Sequence, residues 1–170
     1  SITQSYKIGQ SATEDDLVVS GHQDNGTYLF DFDVWTAIGG GDGMECAIDY
    51  TNANYRYTTV YYGAINRVIG FNGSQIAGNG VNGITEEGAW VTPFIIDEED
   101  PNTMFIGYKN VWRSVNIKSP SASGVDWQKI STINTGNLSV LEQSPVNTNL
   151  LYAASGGALY ICSNAKEDEP

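Results

Sequence analysis

The sequence predicts an all-β fold made of β-propeller blades, which are four-stranded antiparallel sheets stacked around a common axis. Two observations predict it. Short runs of β-branched and aromatic residues alternate with Gly, Asn, Asp and Ser clusters along the whole chain, and long helical periodicity is absent. The chain also repeats itself with a period of about 47 residues, which is typical of blades with four short strands.

Three slots of the repeat can be aligned between successive copies. The first slot holds an acidic or hydroxyl side chain, the second an aromatic ring and the third an arginine or cysteine: Asp49, Asp97 and Ser144; Tyr57, Phe105 and Tyr152; Arg67, Arg113 and Cys162. Each copy reads as strand, polar turn, strand, turn and strand. A final strand then begins at a tryptophan, which predicts that Trp35 and Trp127 pack in the core between blades.

The period divides the chain into roughly three to four blades. We expect a partial blade at 1–38, blades at 39–89 and 90–131, and a partial blade at 132–170. The innermost strands are predicted at 45–49, 90–96 and 138–142, with Ile48, Ile95 and Leu141 in equivalent positions. Because closed rings have about four to eight blades, the chain is expected to be part of a larger propeller. A compact four-bladed ring is the alternative.

The charge of the chain restricts its partners. It carries 8 Lys and Arg residues against 20 Asp and Glu, a net charge of −12. Nucleic acid and anionic membranes are disfavoured, because both are bound by clustered cations. No apolar run is long enough to predict a membrane span, and the first residues, SITQSYKIGQ, show no signal-peptide pattern. With 41% hydrophobic and 11% aromatic residues, the chain does not have the composition of a disordered acidic tail.

Four stretches carry a family resemblance: GHQDNGTY, WTAIGGGDGMECAIDYTN, DEEDPNTMFIGYKNVWRS and SPVNTNLLYAASGGALYICSNA, which together span nearly the whole chain. They resemble the sortilin-like and BNR (Asp-box) propellers of secreted and cell-surface proteins, and especially bacterial surface proteins described as glycosyl-hydrolase-like. The resemblance implies a secreted or cell-surface location. The Asp boxes are degenerate, since Ser114-Val-Asn116 and the VIGFNG that follows Arg67 depart from the family pattern, so a true sialidase is not expected.

Two groups of residues are candidates for binding. Gln23, Asp24 and Asn25 lie in a turn where they either contact a sugar or cation at a propeller face or only shape a hairpin. Tyr61 and Tyr62 belong to a cluster of tyrosines, some of which must face solvent, so they are candidates for a binding surface.

Asp42 and Glu45 are the candidates for catalysis. They flank a Gly-rich connection that should cross from the rim of one blade to the channel, where two carboxylates could act as acid and base or hold Ca²⁺ with backbone carbonyls. The alternative is a structural role, in which the glycines only let two backbone segments pack closely. No cofactor is predicted, with Ca²⁺ left open. The acidic run 97–100 is predicted to be a hairpin turn and not a metal site, because its repeat counterparts include Ser-Pro-Val-Asn.

Other residues are predicted to be structural. Cys46 and Cys162 read as free thiols, with a disulfide left open. His22 reads as a loop side chain, and Arg67 and Arg113 are expected to pair with acidic groups between blades. Asn25, Asn72 and Asn137 begin N-x-Ser/Thr sequons that only a eukaryotic secretory protein would use.

Three functions remain. The first is a non-catalytic propeller segment of a large secreted or cell-surface protein that binds a glycan or a protein. The second is a glycoside hydrolase of the xyloglucanase or sialidase type. The third is a sorting-receptor ectodomain. For the first, the expected partners also include the rest of a larger propeller or other chains of an assembly.

Overall fold

The structure is a computed structural model that describes residues 3–133 and 135–167. All of its strands belong to four antiparallel sheets that follow one another along the chain. Two single-turn 3₁₀ helices, Tyr61–Gly63 and Ala122–Gly124, are the helices of the described part, and neither approaches the length or apolar character needed to span a membrane. The prediction of an all-β chain of propeller blades is confirmed.

The strands of each sheet are arranged in sequence order, which is the meander expected of a blade. Sheet 1 contains β1 (Ser5–Gln10), β2 (Val18–His22), β3 (Gly26–Asp31) and β4 (Val34–Gly39). Sheet 2 contains β5 (Cys46–Ile48), β6 (Tyr55–Val60), β7 (Ala64–Ile69) and β8 (Asn72–Ala77). Sheet 3 contains β9 (Phe94–Ile96), β10 (Met104–Gly107), β11 (Val111–Ser114) and β12 (Gln128–Lys129). Sheet 4 contains β13 (Val140–Ser144), β14 (Asn147–Ser155) and β15 (Ala158–Cys162).

The two outer sheets differ in strand number. Sheet 1 has four strands although a partial blade is expected at 1–38, because the segment Ser5–Gln10 pairs with β2 along its length. Sheet 4 has three strands among the described residues.

The repeat alignment holds for the aromatic slot. Tyr57 pairs with Arg67 across the β6–β7 hairpin, and Phe105 pairs with Arg113 across β10–β11. In sheet 4, Tyr152 pairs with Ile161, so the counterpart of the arginines is Ile161 and the predicted Cys162 is wrong. The reason is the β14–β15 turn, which has two residues where the β6–β7 turn has three.

The predicted innermost strands overlap β5, β9 and β13, the first strands of their sheets, but their predicted register is wrong. Ile95 pairs with Phe105 of the aromatic slot, whereas Ile48 pairs with Arg56 and Leu141 with Ala153. The error arises because both faces of the inner sheets are packed. Apolar residues therefore occur on both faces and do not mark one of them.

Three hydrophobic clusters join successive sheets. They contain Leu17, Val19, Leu29, Cys46 and Ile48 between sheets 1 and 2; Tyr57, Ile65, Ile76, Ile106, Trp112 and Trp127 between sheets 2 and 3; and Phe105, Val111, Leu141 and Leu151 between sheets 3 and 4. We call the face that packs on the following sheet the leading face and the opposite one the trailing face. Within residues 3–133 and 135–167, no such cluster covers the trailing face of sheet 1 or the leading face of sheet 4.

Two kinds of polar contact recur between sheets. Arg67 donates to the carbonyls of Ile117 and Ser119 at 2.6 and 2.8 Å, and Arg113 donates to those of Ala165 and Glu167 at 3.0 and 2.7 Å. The expected acidic partners of these arginines are therefore wrong, since each guanidinium reaches the carbonyls of the segment that follows the third strand of the next sheet. A lysine of that segment instead pairs with a buried aspartate of the preceding sheet, in the pairs Lys118–Asp49 and Lys166–Asp97.

The acidic run 97–100 forms a turn, as predicted. The Asp97 carboxylate accepts the backbone N–H groups of Glu99 and Asp100 at 2.9 and 2.8 Å. Asp49 does the same for Thr51 and Asn52. The repeated aspartate therefore fixes the turn after the first strand and pairs with the next sheet.

The two tryptophans predicted to be in the core differ. Trp127 is buried, and its indole N–H donates to the Ile76 carbonyl at 2.8 Å. Trp35 is 52% exposed, so its core assignment is wrong, because it lies on the uncovered trailing face of sheet 1. Cys46 and Cys162 are both free thiols.

Candidate functional site

Two Gly-rich segments interlock where sheets 1 and 2 meet. The β2–β3 hairpin lies against the 39–43 loop, and Gly43 donates its N–H to the His22 carbonyl at 3.0 Å. A Cβ atom on Gly43 would stand 2.2 Å from the Gly26 carbonyl oxygen, and one on Gly21 would stand 2.2 Å from that of Met44. The glycines are required because the two backbones touch.

The interlocked loops form one wall of a polar cleft of about 400 Å³, lined by Asp24, Asn25, Gly41, Asp42 and Tyr61. The backbone N–H of Asp24 donates to one carboxylate oxygen of Asp42 at 2.5 Å. Asn25 is tied by its side-chain amide, which donates to the Gln23 carbonyl at 2.8 Å. The cleft therefore presents carboxylate and amide groups on a fixed backbone.

Three aromatic side chains continue the cleft at Tyr61, and we call them the aromatic platform: Tyr61, Tyr62 and Trp90. The Tyr61 and Trp90 rings are stacked, with centroids 5.5 Å apart and planes 13° apart. Tyr62 meets both rings edge-on, at 5.8 and 5.4 Å. Each of the three is between 43 and 45% exposed, so a large part of every ring faces solvent.

Backbone contacts hold the platform in place. Tyr62 donates its backbone N–H to the Trp90 carbonyl at 3.3 Å, and its own carbonyl accepts the N–H of Gly88 at 3.2 Å. The buried Tyr108 hydroxyl donates to the Gly63 carbonyl at 2.7 Å, and burial raises the pKa of that phenol. Tyr62 and Gly63 have φ angles of 62° and 80°, left-handed values that turn the chain sharply. The platform is therefore preorganised.

Most of the predicted binding residues meet here. Asp24, Asn25 and Tyr61 line the cleft, and Tyr62 adjoins it. Gln23 lies outside the lining, and its backbone N–H donates to the Gln4 carbonyl at 2.9 Å. Trp90 falls within the predicted innermost strand 90–96, but β9 begins at Phe94, so Trp90 lies in the loop before it. Its proximity to Tyr61 depends on the path of the 78–93 loop, which the repeat alignment does not specify.

The two candidate catalytic carboxylates lie in different pockets. Asp42 lines the polar cleft. Glu45, which directly precedes β5, lines a pocket of about 200 Å³ together with residues of β1, β9 and β13, among them Lys7 and Glu142. Glu45 pairs with Lys7 at 3.0 Å. Burial raises the pKa of Glu45, and Lys7 offsets only part of that rise. The role of either carboxylate in catalysis stays a prediction.

A second cleft of about 380 Å³ lies on the other side of the β2–β3 hairpin, and it is lined by Thr3, His22, Asn25, Tyr28 and Trp35. The His22 ring meets Tyr28 and Trp35 edge-on, at 5.8 and 6.3 Å. Its Nδ1 is 3.1 Å from the Ser5 hydroxyl. This cleft opens at the uncovered trailing face of sheet 1.

Within residues 3–133 and 135–167, no three His, Cys, Asp or Glu side chains are grouped so that they could hold a metal ion.

Comparison with known proteins identifies the fold. No family model and no curated protein matches the chain. Among solved structures, it is similar to an ancestral GH74 enzyme (TM-score 0.72, 16% identity, 95% of this chain and 23% of that one) and to the GH74 xyloglucanase from Xanthomonas campestris (TM-score 0.70, 14% identity, 96% and 29%). It is also similar to the computationally designed Ika4 protein (TM-score 0.61, 12% identity, 95% and 91%). The chain thus has a β-propeller fold and spans about a quarter of the length of the two GH74 proteins.

Proposed function

We propose that this chain is a non-catalytic propeller segment that binds a glycan along the polar cleft and the aromatic platform. The observation that carries the proposal is the platform itself, three preorganised and half-exposed rings beside a row of hydrogen-bonding side chains. Exposed aromatic rings grouped in this way mark a binding surface.

The chemistry of a sugar matches this arrangement. A pyranose ring has an apolar face of C–H groups, which can lie on Tyr61 or Trp90, and an equatorial belt of hydroxyls. Asp24 and Asp42 offer carboxylate acceptors and Asn25 an amide, so hydroxyls at the ring edge find charge-assisted partners. The cleft carboxylates and the net charge of −12 disfavour sialylated and other anionic glycans. The ligand class we propose is a neutral polysaccharide or oligosaccharide.

The structural neighbours support a glycan as the ligand. One is described as a GH74 enzyme and another as a GH74 xyloglucanase. Identities of 14–16% carry no activity across, so the neighbours serve to select the glycans to try first, which are xyloglucan and related β-glucan oligosaccharides.

A glycan array followed by calorimetric titration tests the proposal. We expect binding to neutral glucan oligosaccharides, and about a tenfold or larger loss of affinity for Trp90→Ala or Tyr61→Ala. Phe71→Ala is the matched control, because Phe71 is an exposed aromatic residue outside the cleft and platform. Equal losses in all three variants, or no binding to any neutral glycan, would refute the proposal.

A glycoside hydrolase is the second candidate, favoured by the same neighbours. It requires two carboxylates on either side of one bond, about 5–10 Å apart. Asp42 and Glu45 line different pockets, so they do not form such a pair, and the second carboxylate in the cleft of Asp42 is Asp24. Release of reducing sugar by the 170-residue chain itself, lost in Asp42→Asn, would favour this candidate over simple binding.

A protein ligand is the third candidate, as in sorting receptors. The aromatic platform would suit a peptide side chain as well as a sugar. Binding of peptides and not glycans on a mixed array would support it.

We further propose that the chain acts in a secreted or cell-surface protein. The support is the resemblance to sortilin-like and BNR propellers on the stretches from GHQDNGTY to the chain's last repeat. Mass spectrometry of the native protein tests this proposal, since its recovery from the culture medium or cell envelope is expected and its confinement to the cytosol would contradict it.

A further inference from the structure

The two uncovered faces of the array carry exposed apolar side chains. On the leading face of sheet 4, Val140, Leu159 and Ile161 are 45, 66 and 62% exposed. On the trailing face of sheet 1, Ile8 and Trp35 are 62 and 52% exposed. Exposed apolar side chains grouped on one sheet face mark a surface that another element covers.

Among residues 3–133 and 135–167, no sheet covers the leading face of sheet 4, and the repeat positions show the effect. Tyr57 and Phe105, which occupy the aromatic slot on the leading faces of sheets 2 and 3, are fully buried by the next sheet. Tyr152 in the same slot of sheet 4 is only partly buried. Ile161, which pairs with Tyr152, is 62% exposed, whereas Arg67 and Arg113 at the same position of sheets 2 and 3 are each 4% exposed.

The leading face of sheet 4 differs in chemistry from the leading faces of sheets 2 and 3. Sheets 2 and 3 each present an aspartate and an arginine to the next sheet, as in the contacts of Asp97 and Arg113. Sheet 4 has Ser144 and Ile161 in those positions. The junction between sheets 1 and 2 has an apolar cluster with Val19 and Leu29, and its ion pair is Lys7–Glu45. The array therefore already contains a junction without the repeated aspartate and arginine contacts.

We propose that the leading face of sheet 4 docks on the trailing face of sheet 1 of a second copy of this chain. Every junction between successive sheets packs a leading face on a trailing face, so this contact continues the established stacking. Two copies related by a twofold axis make the contact twice and leave no bare face. They form a closed ring of eight sheets, within the usual range of about four to eight blades.

Electrostatic repulsion sets the salt conditions under which the two copies associate. Each copy carries a net charge of −12, which opposes association. Salt screens this repulsion, since the Debye length falls from about 30 Å at 0.01 M to about 10 Å at 0.1 M ionic strength. Association should therefore strengthen as salt is added.

Sedimentation velocity of the 170-residue chain at low micromolar concentration tests the proposal. We expect a species of two 18.4 kDa copies at 0.3 M salt, and weaker association at 0.01 M. A monomer at both salt concentrations would overturn the proposal, and so would a series of ever-larger species, because a closed ring stops at two copies.

Matched variants identify the faces. Ile161→Asp and Trp35→Asp should each raise the dissociation constant by about tenfold or more, since each places a charge in the junction. Phe71→Asp should leave it unchanged, because Phe71 is exposed at a turn away from both faces. Unaltered circular dichroism would show that the variants fold. Loss of pairing in Ile161→Asp but not in Trp35→Asp would indicate sheet 4 packed on sheet 4 and would refute the head-to-tail junction.

Discussion

Single residues show how one residue type takes different roles in this chain. Trp127 is buried between sheets with its indole N–H satisfied, Trp90 belongs to the aromatic platform, and Trp35 lies on an uncovered face. Sequence position predicted the first role and failed for the third. The failure has a physical cause, since equivalent strand positions are equally buried only where a neighbouring sheet is present.

Trp127→Ala tests this difference at the residue scale. We expect a loss of about 3–5 kcal/mol of unfolding free energy, because the substitution leaves a cavity and removes the donor to Ile76. Trp90→Ala should cost less than about 1.5 kcal/mol, since its ring is half-exposed and loses mainly the stacking contact with Tyr61. Urea denaturation of both variants measures the two values, and equal shifts in midpoint would contradict the packing described here.

Asp97 gives a pH prediction. Although burial opposes ionisation, hydrogen bonds from Gln143, Glu99 and Asp100 and the Lys166 ammonium hold the pKa of Asp97 below its ordinary value of 3.8. Because the folded pKa is depressed, the carboxylate stabilises the fold above about pH 4, and this contribution is lost as the pH falls through the lower, folded value.

We therefore expect the urea midpoint of the wild-type chain to fall more steeply between pH 5 and 3 than that of Asp97→Asn. The control is Asp33→Asn, at an exposed turn position, which should keep the wild-type pH dependence. If Asp97→Asn and Asp33→Asn had the same pH profile, the role assigned to Asp97 would be wrong.

At the scale of the elements, arginine contacts join one sheet to the next. Arg113 is 4% exposed, donates to the carbonyls of Ala165 and Glu167, and also donates to Gln128 at 3.0 Å. Charge-assisted hydrogen bonds of this kind are worth about 1.5–3 kcal/mol.

Arg113→Met should lower the unfolding free energy by about 2–3 kcal/mol, because it keeps much of the side-chain volume but leaves buried carbonyls unpaired. Lys129→Met removes an exposed cation from the same sheet and should change stability by about 0.5 kcal/mol or less. Thermal denaturation compares them, and a tolerated Arg113→Met would show that the contacts between sheets 3 and 4 are not as described.

The Gly-rich loops provide the second test of an element. Gly43→Ala should destabilise the fold by about 1–3 kcal/mol, since its Cβ would stand 2.2 Å from the Gly26 carbonyl oxygen. Gly40→Ala is the matched control, with no atom within 4 Å of the added Cβ and no left-handed φ. Similar melting temperatures for the two variants would contradict the interlock.

The repeat period, the strands and most of the cleft could be predicted from sequence because they depend on local patterns. Turn formers mark Asp24 and Asn25, and neighbouring tyrosines mark Tyr61 and Tyr62. The register of sheet 4 could not be predicted, since one residue fewer in a hairpin turn moves Ile161 into the slot assigned to Cys162. The separation of Asp42 from Glu45 and the position of Trp90 also depend on how the loops fold together.

For the whole molecule, the site and the uncovered faces are separate features. The polar cleft lies between sheets 1 and 2, where packing is complete, and the proposed junction involves the opposite face of sheet 1. Glycan binding should therefore persist in Ile161→Asp, and pairing should persist in Trp90→Ala. The failure of either proposal leaves the other standing.

Binding of a neutral glycan on the aromatic platform is tested most directly by the indole N–H signals of the four tryptophans. In a heteronuclear NMR titration with a neutral glucan oligosaccharide, we expect a saturable shift of the Trp90 signal, while the signals of the buried Trp112 and Trp127 stay in place. Assignment follows from single Trp→Phe variants. A Trp90 signal that does not move, or a shift confined to Trp35 in the second cleft, would contradict glycan binding on the aromatic platform.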